Sequence, residues 1–357
     1  MTEEIPSRSG DAFTTDDESQ ILNAIDKWLD KEVKDKVLAL DHADEYPIQM
    51  VEQMKSLGLF GATISQKYGG LGMPSSSYAK VVTAVSEIWM SLSGIFNSHL
   101  IMAAAVERFG TEDQKQRFLP RFATGEIRGG LALTEPSCGT DLQAIRTKAH
   151  KEGDHYLING SKTWISNGIE GDCVALLVKT DTEIQPRHKG MSLFLAEKGP
   201  GFSVGPKLEK LGYKGIDSAE LFFDNYVIAA DNLIGGEEGH GFHHTVGGLE
   251  LGRINVAARG VGVANAALKA ATSYAQTRET MGKPIGQHQA IQTKLGDMAT
   301  RCHAARLLVQ DAARAYDRSE RCDMEAGMAK LFASEAAMEN ASECMRIHGA
   351  YGYSKES

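Results

Sequence analysis

YLINGSKTWIS, residues 156–166, decides how this chain divides. β-Branched and aromatic residues flank Asn159-Gly160, the strongest short-range signal for a β-hairpin. The segment reads as two strands turning at that pair. CVALLVK (173–179), MSLFLA (191–196) and AELFFDNYVI (219–228) follow as further short apolar runs, parted by Gly, Pro and charged turns. Residues 125–235 therefore read as a small β-rich domain.

Outward from it the period changes on both sides. QILNAIDKWLDKEV (20–33) sets Ile21, Leu22, Ile25, Trp28, Leu29 and Val33 near one helical face. Residues 77–109, from Ser77 through LSGIFNSHL to Phe109, form a helical zone too apolar for a surface helix. Thr111 and Gln114 make a capping box for a short helix that Pro120 is expected to limit. After Gly239, three alanine-rich stretches (249–279, 287–316 and 324–349) have apolar residues at helical spacing and suit closely packed antiparallel helices. The chain is thus read as an all-α domain (14–124), a β domain (125–235) and a helical bundle (240–357). Such a junction of domains leaves a cleft, a preferred place for ligands.

Composition narrows the function. Among 357 residues, 47 acids stand against 38 bases, a net charge of −9. That argues against nucleic acid or an anionic membrane as the main partner. No apolar run approaches the roughly 18 residues of a membrane span. Cys138, Cys173, Cys302, Cys322 and Cys344 form no CxxC pair and match no zinc spacing, so no metal site is expected. Reduced thiols and an acidic N-terminus without an apolar signal region point to a cytoplasm-like compartment.

Three segments carry chemistry. LALTEPSCGTDL (131–142) ends a strand-like run in a bend rich in hydroxyl and backbone donors. Taken alone it is a cradle for a flat polar ligand or an ordinary surface turn. KTWISNG (162–168) holds Trp164, which is a core tryptophan or a stacking platform. RETMGKPIGQHQA (278–290) holds Arg278, whose planar fork matches phosphate.

Together these segments resemble the acyl-CoA dehydrogenase family of flavoproteins, from about Thr14 to Tyr353. LTEPSCGTD is similar to the family's TEP-x-x-G-(S/T)-D loop, KTWISNG to its flavin-stacking strand, and RETMGKPIGQHQAIQ to its third motif. The resemblance implies a mainly α fold with a β insert: an N-terminal helical domain, a middle β-barrel-like domain and an incomplete C-terminal helical bundle. It implies FAD, with Leu131, Leu133 and Thr134 lining the isoalloxazine and Trp164 packing on the face away from substrate. Ser166 would bond near N5 and O4, and Thr140 would sit between the pyrophosphate and the CoA arm. Arg278, Thr280, Met281, His288 and Gln289 would reach FAD in a neighbouring subunit, so a homotetramer or dimer is implied. Glu250 and Arg253 would meet the pantetheine and phosphate part of CoA. Their other reading is an i, i+3 surface ion pair; that of Thr140 is a capping hydroxyl, and that of His288 a satisfied helix residue.

The implied reaction is α,β-dehydrogenation of an acyl-CoA to the trans-2-enoyl-CoA, in fatty acid or amino acid catabolism. A base takes the α-proton, a hydride goes to flavin N5, and electrons pass to an electron-transferring flavoprotein. A catalytically silent FAD-binding subunit and an acyl-CoA oxidase are the alternatives. The acyl pocket would be floored by the helix carrying Phe96, Asn97, Ser98 and His99; Asn97 and His99 hint at a short or polar acyl group, or are satisfied core residues. The resemblance breaks at the base. Most relatives carry it in a Glu-Gly-Thr segment beyond the turn found here at 348–353, and the sequence stops at Ser357. The minority position, just before the substrate-helix arginine, is Gly252, and Glu356 is an unsuitable substitute. No catalytic residue is therefore assigned; a shortened sequence and a silent partner subunit both remain open. Arg346 stands where many relatives have Gln, and Ala350, next to Gly349, where many have Gly; all three belong to the implied inter-subunit flavin contact.

Overall fold

The computed structural model describes residues 13–355; residues 1–12 and 356–357, including Glu356, lie outside the described residues. The first helical unit comprises α1 (Thr15–Trp28), α2 (Val37–Ala43), α3 (Ile48–Ser56), α4 (Ser75–Phe109) and α5 (Glu112–Thr124). The face expected on α1 is real: Ile25, Trp28, Leu29 and Val33 are buried, with Ile21 and Leu22 packed partly against them. The Thr111–Gln114 capping box forms at α5. Pro120 does not limit that helix, however. The chain continues through it to Thr124 and stops at Gly125, whose φ of +72° only glycine adopts freely.

α4 corrects a second expectation. Its length and composition would suffice to cross a membrane, but 72% of its most apolar window is buried inside the protein. It is the helix around which the other elements pack. It kinks at Trp89 (φ −156°, ψ 107°), whose indole N–H donates to Asp41 Oδ1 at 3.0 Å.

The middle unit is a sheet of β1 (Gly129–Ala132), β2 (Lys148–Glu152), β3 (His155–Ser166), β4 (Cys173–Lys179), β5 (Met191–Glu197), β6 (Phe202–Lys207) and β7 (Ser218–Ala229). The hydrogen-bonded order is β1-β4-β2-β3-β7-β6, with β5 on β4. The ladder is an open path among the described residues rather than a closed barrel. β4 is buried at every position but its last, because it takes β1 in parallel register and β5 antiparallel.

The expected hairpin at Asn159-Gly160 is absent. β3 runs straight through, with a bulge where register shifts between Ile158 and Gly160 against β7. Gly160 has φ +148°, and a Cβ there would lie 2.5 Å from Thr147 Oγ1, so glycine serves a close strand approach. Asn159 instead meets β7, its Oδ1 accepting from Asn225 N at 2.9 Å. The true turn is Gly153-Asp154, between the paired Glu152 and His155.

The second helical unit is α6 (Gly241–Thr277), the β8 (Glu279–Thr280)–β9 (Lys283–Pro284) hairpin, α7 (Gln289–Asp317) and α8 (Asp323–His348). Met281-Gly282 turns that hairpin with φ of +53° and +77°. α6 packs against both α4 and α8, so it joins the two helical units. Small residues permit the approach: a Cβ on Gly260 would lie 2.7 Å from Ala333 O, and one on Gly262 2.5 Å from Thr83 O.

Candidate active site

The bend at 131–142 and the strand bearing Trp164 are brought together. Thr163 N donates to Thr134 O at 2.9 Å. A Cβ on Gly130 would lie 2.9 Å from Ser166 O, so β1 passes directly against Ser166. The bend closes on itself through Glu135 N to Cys138 O at 2.9 Å and Cys138 N to Glu135 O at 3.1 Å. Asn167 ties the third wall: its Nδ2 donates to Ile95 O on α4 and to Gly129 O on β1, both at 2.9 Å.

Beneath the bend lies a buried ion pair. Lys162 Nζ donates to Glu135 Oε1 at 2.8 Å and to Leu133 O at 3.0 Å. Glu135 also accepts from Arg146 N, Thr147 N and Thr147 Oγ1. Burial pushes the Glu135 carboxyl up, but the Lys162 charge and these donors outweigh it and hold it below the usual range. The KTWISNG motif marks Lys162, but nothing local in sequence pairs it with Glu135.

Trp164 is not buried. It is 58% exposed, at φ +61° and in a register break of β3. A core role is thereby excluded within this chain. Leu131, Leu133 and Thr134 are half-buried beside it. The hydroxyls of Thr134 and Ser166 have no hydrogen-bond partner among the described residues. Thr140 is exposed and caps nothing; Asp141 caps the following turn by accepting from Gln143 N at 3.2 Å.

A second group gathers at one end of the helical bundle. Arg278 ends α6, and Thr280 and Met281 follow on the β8–β9 hairpin, all exposed, Met281 by 94%. His288 Nε2 lies 3.2 Å from Thr280 Oγ1, and Gln289 opens α7. Tyr274, one turn before Arg278, stacks on His348 at 4.3 Å between centroids. That stack brings the end of α8, with Arg346, Gly349 and Ala350, to the same place. Arg346 is engaged by Glu343, which also holds Lys294. The Arg278 guanidinium has no partner among the described residues.

Along α6, Gly248, Gly252, Asn255, Arg259 and Gly262 fall on one stripe, at spacings of four and three residues. It faces α4: the Cβ position of Gly252 is 3.2 Å from Ile101 Cδ1. Glu250 and Arg253 are half-buried and form no ion pair with each other, so the surface-pair reading fails.

The four residues expected at the pocket floor separate. Ser98 faces the strands, its Cβ 3.6 Å from the Cβ position of Gly130. Phe96 and Asn97 are buried. His99 points into the α-core, edge-on to Phe60 and Phe122, and its Nε2 donates to Phe122 O at 3.1 Å. Burial pulls its pKa down to about 4, so it stays neutral in the fold. Unfolded, it takes a proton near pH 6.5. Its contribution is full above that pH and is lost as pH falls towards 4, at about 1.4 kcal/mol per pH unit. His244, also held at about 4 by burial, adds to the same slope. In urea melts across this window, His99→Gln, which keeps a donor for Phe122 O, is expected to flatten the pH dependence; an unchanged slope would rule the assignment out.

An exposed indole, two free hydroxyls and a backbone cradle that excludes a Cβ at Gly130 suit a flat aromatic ligand with a polar edge. An isolated guanidinium suits a phosphate. The residues therefore fit FAD, one group in this chain and the other offered outward.

Comparison with known proteins agrees. Residues 15–126, 130–226 and 239–357 match the N-terminal, middle and C-terminal domains described for acyl-CoA dehydrogenase. An acyl-CoA dehydrogenase of Bacillus subtilis is 40% identical over 96% of this chain and 90% of its own length. The structure of butyryl-CoA dehydrogenase from Megasphaera elsdenii superposes with a TM-score of 0.93 at 35% identity, over 98% of this chain and 92% of that one. A chain in the structure described as the electron transferring flavoprotein of Acidaminococcus fermentans also gives 0.93, at 36% identity, covering 98% and 91%. With its three domains matched in order, the chain belongs to the acyl-CoA dehydrogenase family, FAD-dependent oxidoreductases.

Proposed function

We propose that the protein dehydrogenates an acyl-CoA thioester between its α and β carbons to the trans-2-enoyl-CoA. The observation that carries this is the exposed Trp164 beside the Leu131–Thr134 bend, with α4 meeting β1 at Ser98 and Gly130. Bound FAD supplies the acceptor for the β-hydride. Leu131 and Leu133 line the ring, Trp164 packs on the face away from substrate, and the Thr134 and Ser166 hydroxyls hold its polar edge. Thr140, Glu250 and Arg253 bind the CoA arm. Arg278, Thr280, Met281, His288, Gln289, Arg346, Gly349 and Ala350 of a second copy close the cofactor site, which makes the protein a dimer or homotetramer. Electrons leave to an electron-transferring flavoprotein, a reading supported by the Acidaminococcus structure. Bacterial relatives support a cytoplasmic place, and the butyryl-CoA dehydrogenase likeness supports fatty acid catabolism.

A second reading is a flavin-binding subunit that removes no proton itself, since no residue of the assembled site is assigned as the base. An anaerobic titration of the FAD-loaded protein with butyryl-, isobutyryl- and octanoyl-CoA separates the two. Bleaching of the flavin band is the expected result for the enzyme. Flavin that binds but never bleaches selects the silent subunit, and a chain that stays colourless at every FAD concentration refutes both.

A further inference from the structure

The α4–α6 interface is not hydrocarbon throughout. Ile101, Asn97 and Gly94 lie on one stripe of α4, facing the α6 stripe of Gly252, Asn255 and Arg259. Between them the loop before β7 inserts Tyr213, at φ +58°. A Cβ on Gly94 would sit 1.7 Å from the Tyr213 hydroxyl, so only glycine admits the ring there. Arg259 Nη1 donates to that hydroxyl at 2.6 Å, and its guanidinium lies over the ring at 5.1 Å.

The polar atoms at this end lack partners. Asn97 is 1% exposed; its Oδ1 accepts from Tyr78, but its Nδ2 is buried and unsatisfied among the described residues. Asn255 is 1% exposed with both amide atoms unsatisfied. Arg259 Nε is likewise buried without a partner, and no carboxylate among the described residues pairs with its charge. Glu18 and Glu87, carried on α1 and α4, are taken by Lys80 and Lys269. The Arg259 charge reaches Tyr78 and Tyr213: burial drives both phenols up, and the guanidinium pulls them part of the way back.

A hydrocarbon tail would leave this set of buried donors unsatisfied. A carboxylate answers it, since a guanidinium fork and amide N–H groups are matched to two anionic oxygens. Gly252 and Arg259 are two helical turns apart, about 10 Å along the axis, and the arginine side chain shortens that gap. We propose that Arg259, with Asn97 and Asn255, forms a carboxylate-reading end to the acyl groove, so that the substrate is the CoA thioester of a short dicarboxylic acid. This rests on the acyl-CoA reading above.

Calorimetry on the FAD-loaded full chain tests it with glutaryl-CoA and valeryl-CoA, which share five acyl carbons and differ in the terminal carboxylate. Glutaryl-CoA is expected to bind roughly ten- to a hundredfold more tightly. Arg259→Gln should abolish that preference by weakening glutaryl-CoA alone, while Arg259→Lys keeps part of it. Unchanged valeryl-CoA binding by the variants serves as the control for folding. Equal or better binding of valeryl-CoA by the unmodified protein, or a preference that survives Arg259→Gln, overturns the proposal and leaves the family reading intact. Binding of neither thioester would overturn the acyl-CoA reading itself, and the proposal with it.

Discussion

Lys162→Met is expected to destabilise the protein by roughly 3–5 kcal/mol and to raise the FAD dissociation constant at the same time. Lys162 and Glu135 have side chains 0% and 4% exposed, so solvent cannot replace a lost partner. Removing the ammonium strands a carboxylate that keeps only the Arg146 and Thr147 donors. The same ammonium holds Leu133 O, one residue from Thr134 and two along the strand from Trp164. Loss of the pair therefore loosens both walls of the proposed flavin cradle, which a purely structural ion pair elsewhere would not do. Glu135→Gln should cost a comparable amount, because it strands the opposite charge. The double variant should cost less than the sum of the two singles. Thermal melts of the apo chain read the stability, and fluorescence titration of released FAD reads the affinity. A single variant that melts like the parent, or a stability loss with unchanged FAD affinity, would show that the pair does not organise the site.

The elements were legible where burial sets a local period. The face of α1 and the helices after Gly239 show in spacing, because each buries one side against a neighbour, whereas the strands at 173–179 and 191–197 show as continuous apolar runs because both their faces are buried. Asn159-Gly160 misled for a physical reason. The pair favours a turn, but at 160 glycine is demanded by Thr147, just ahead of β2, a contact with no local trace. Pro120 misled in the opposite sense. It removes one N–H from α5, yet a capping box at Thr111 and buried Phe118, Leu119 and Phe122 hold the helix on either side. The residues proposed to face the flavin come from three motifs, and Trp164 shows its departure from a core role only through its exposure. Tyr213, Asn255 and Arg259 were missed altogether. Each is unremarkable in its own segment, and they meet only because a loop of the sheet inserts between two helices.

Gly252→Glu is expected to speed anaerobic flavin reduction by butyryl-CoA at least roughly a hundredfold in the 357-residue chain. Position 252 lies in the α6 stripe that faces α4, and it offers no proton acceptor. A general base in place contributes about 10²–10⁴ to such a step. A Cβ is admitted: it meets only Ile101, at 3.2 Å from Cδ1 and 3.9 Å from Cγ1, so the end of that side chain gives by a few tenths of an ångström. Helix geometry permits it too, since replacing a mid-helix glycine removes a cost of about 1 kcal/mol and partly offsets burial of the new carboxyl. That burial is useful, because desolvation raises a carboxyl pKa towards the pH at which it works. Gly252→Gln separates the causes, because it fills the same space without accepting a proton and should leave the rate at the parent level. Stopped-flow absorbance of the flavin band gives the comparison. If Glu and Gln reduce equally slowly, the groove does not hold the thioester with its α-carbon beside 252. If the parent is already as fast as the Glu variant, another carboxylate takes the proton and the silent-subunit reading falls.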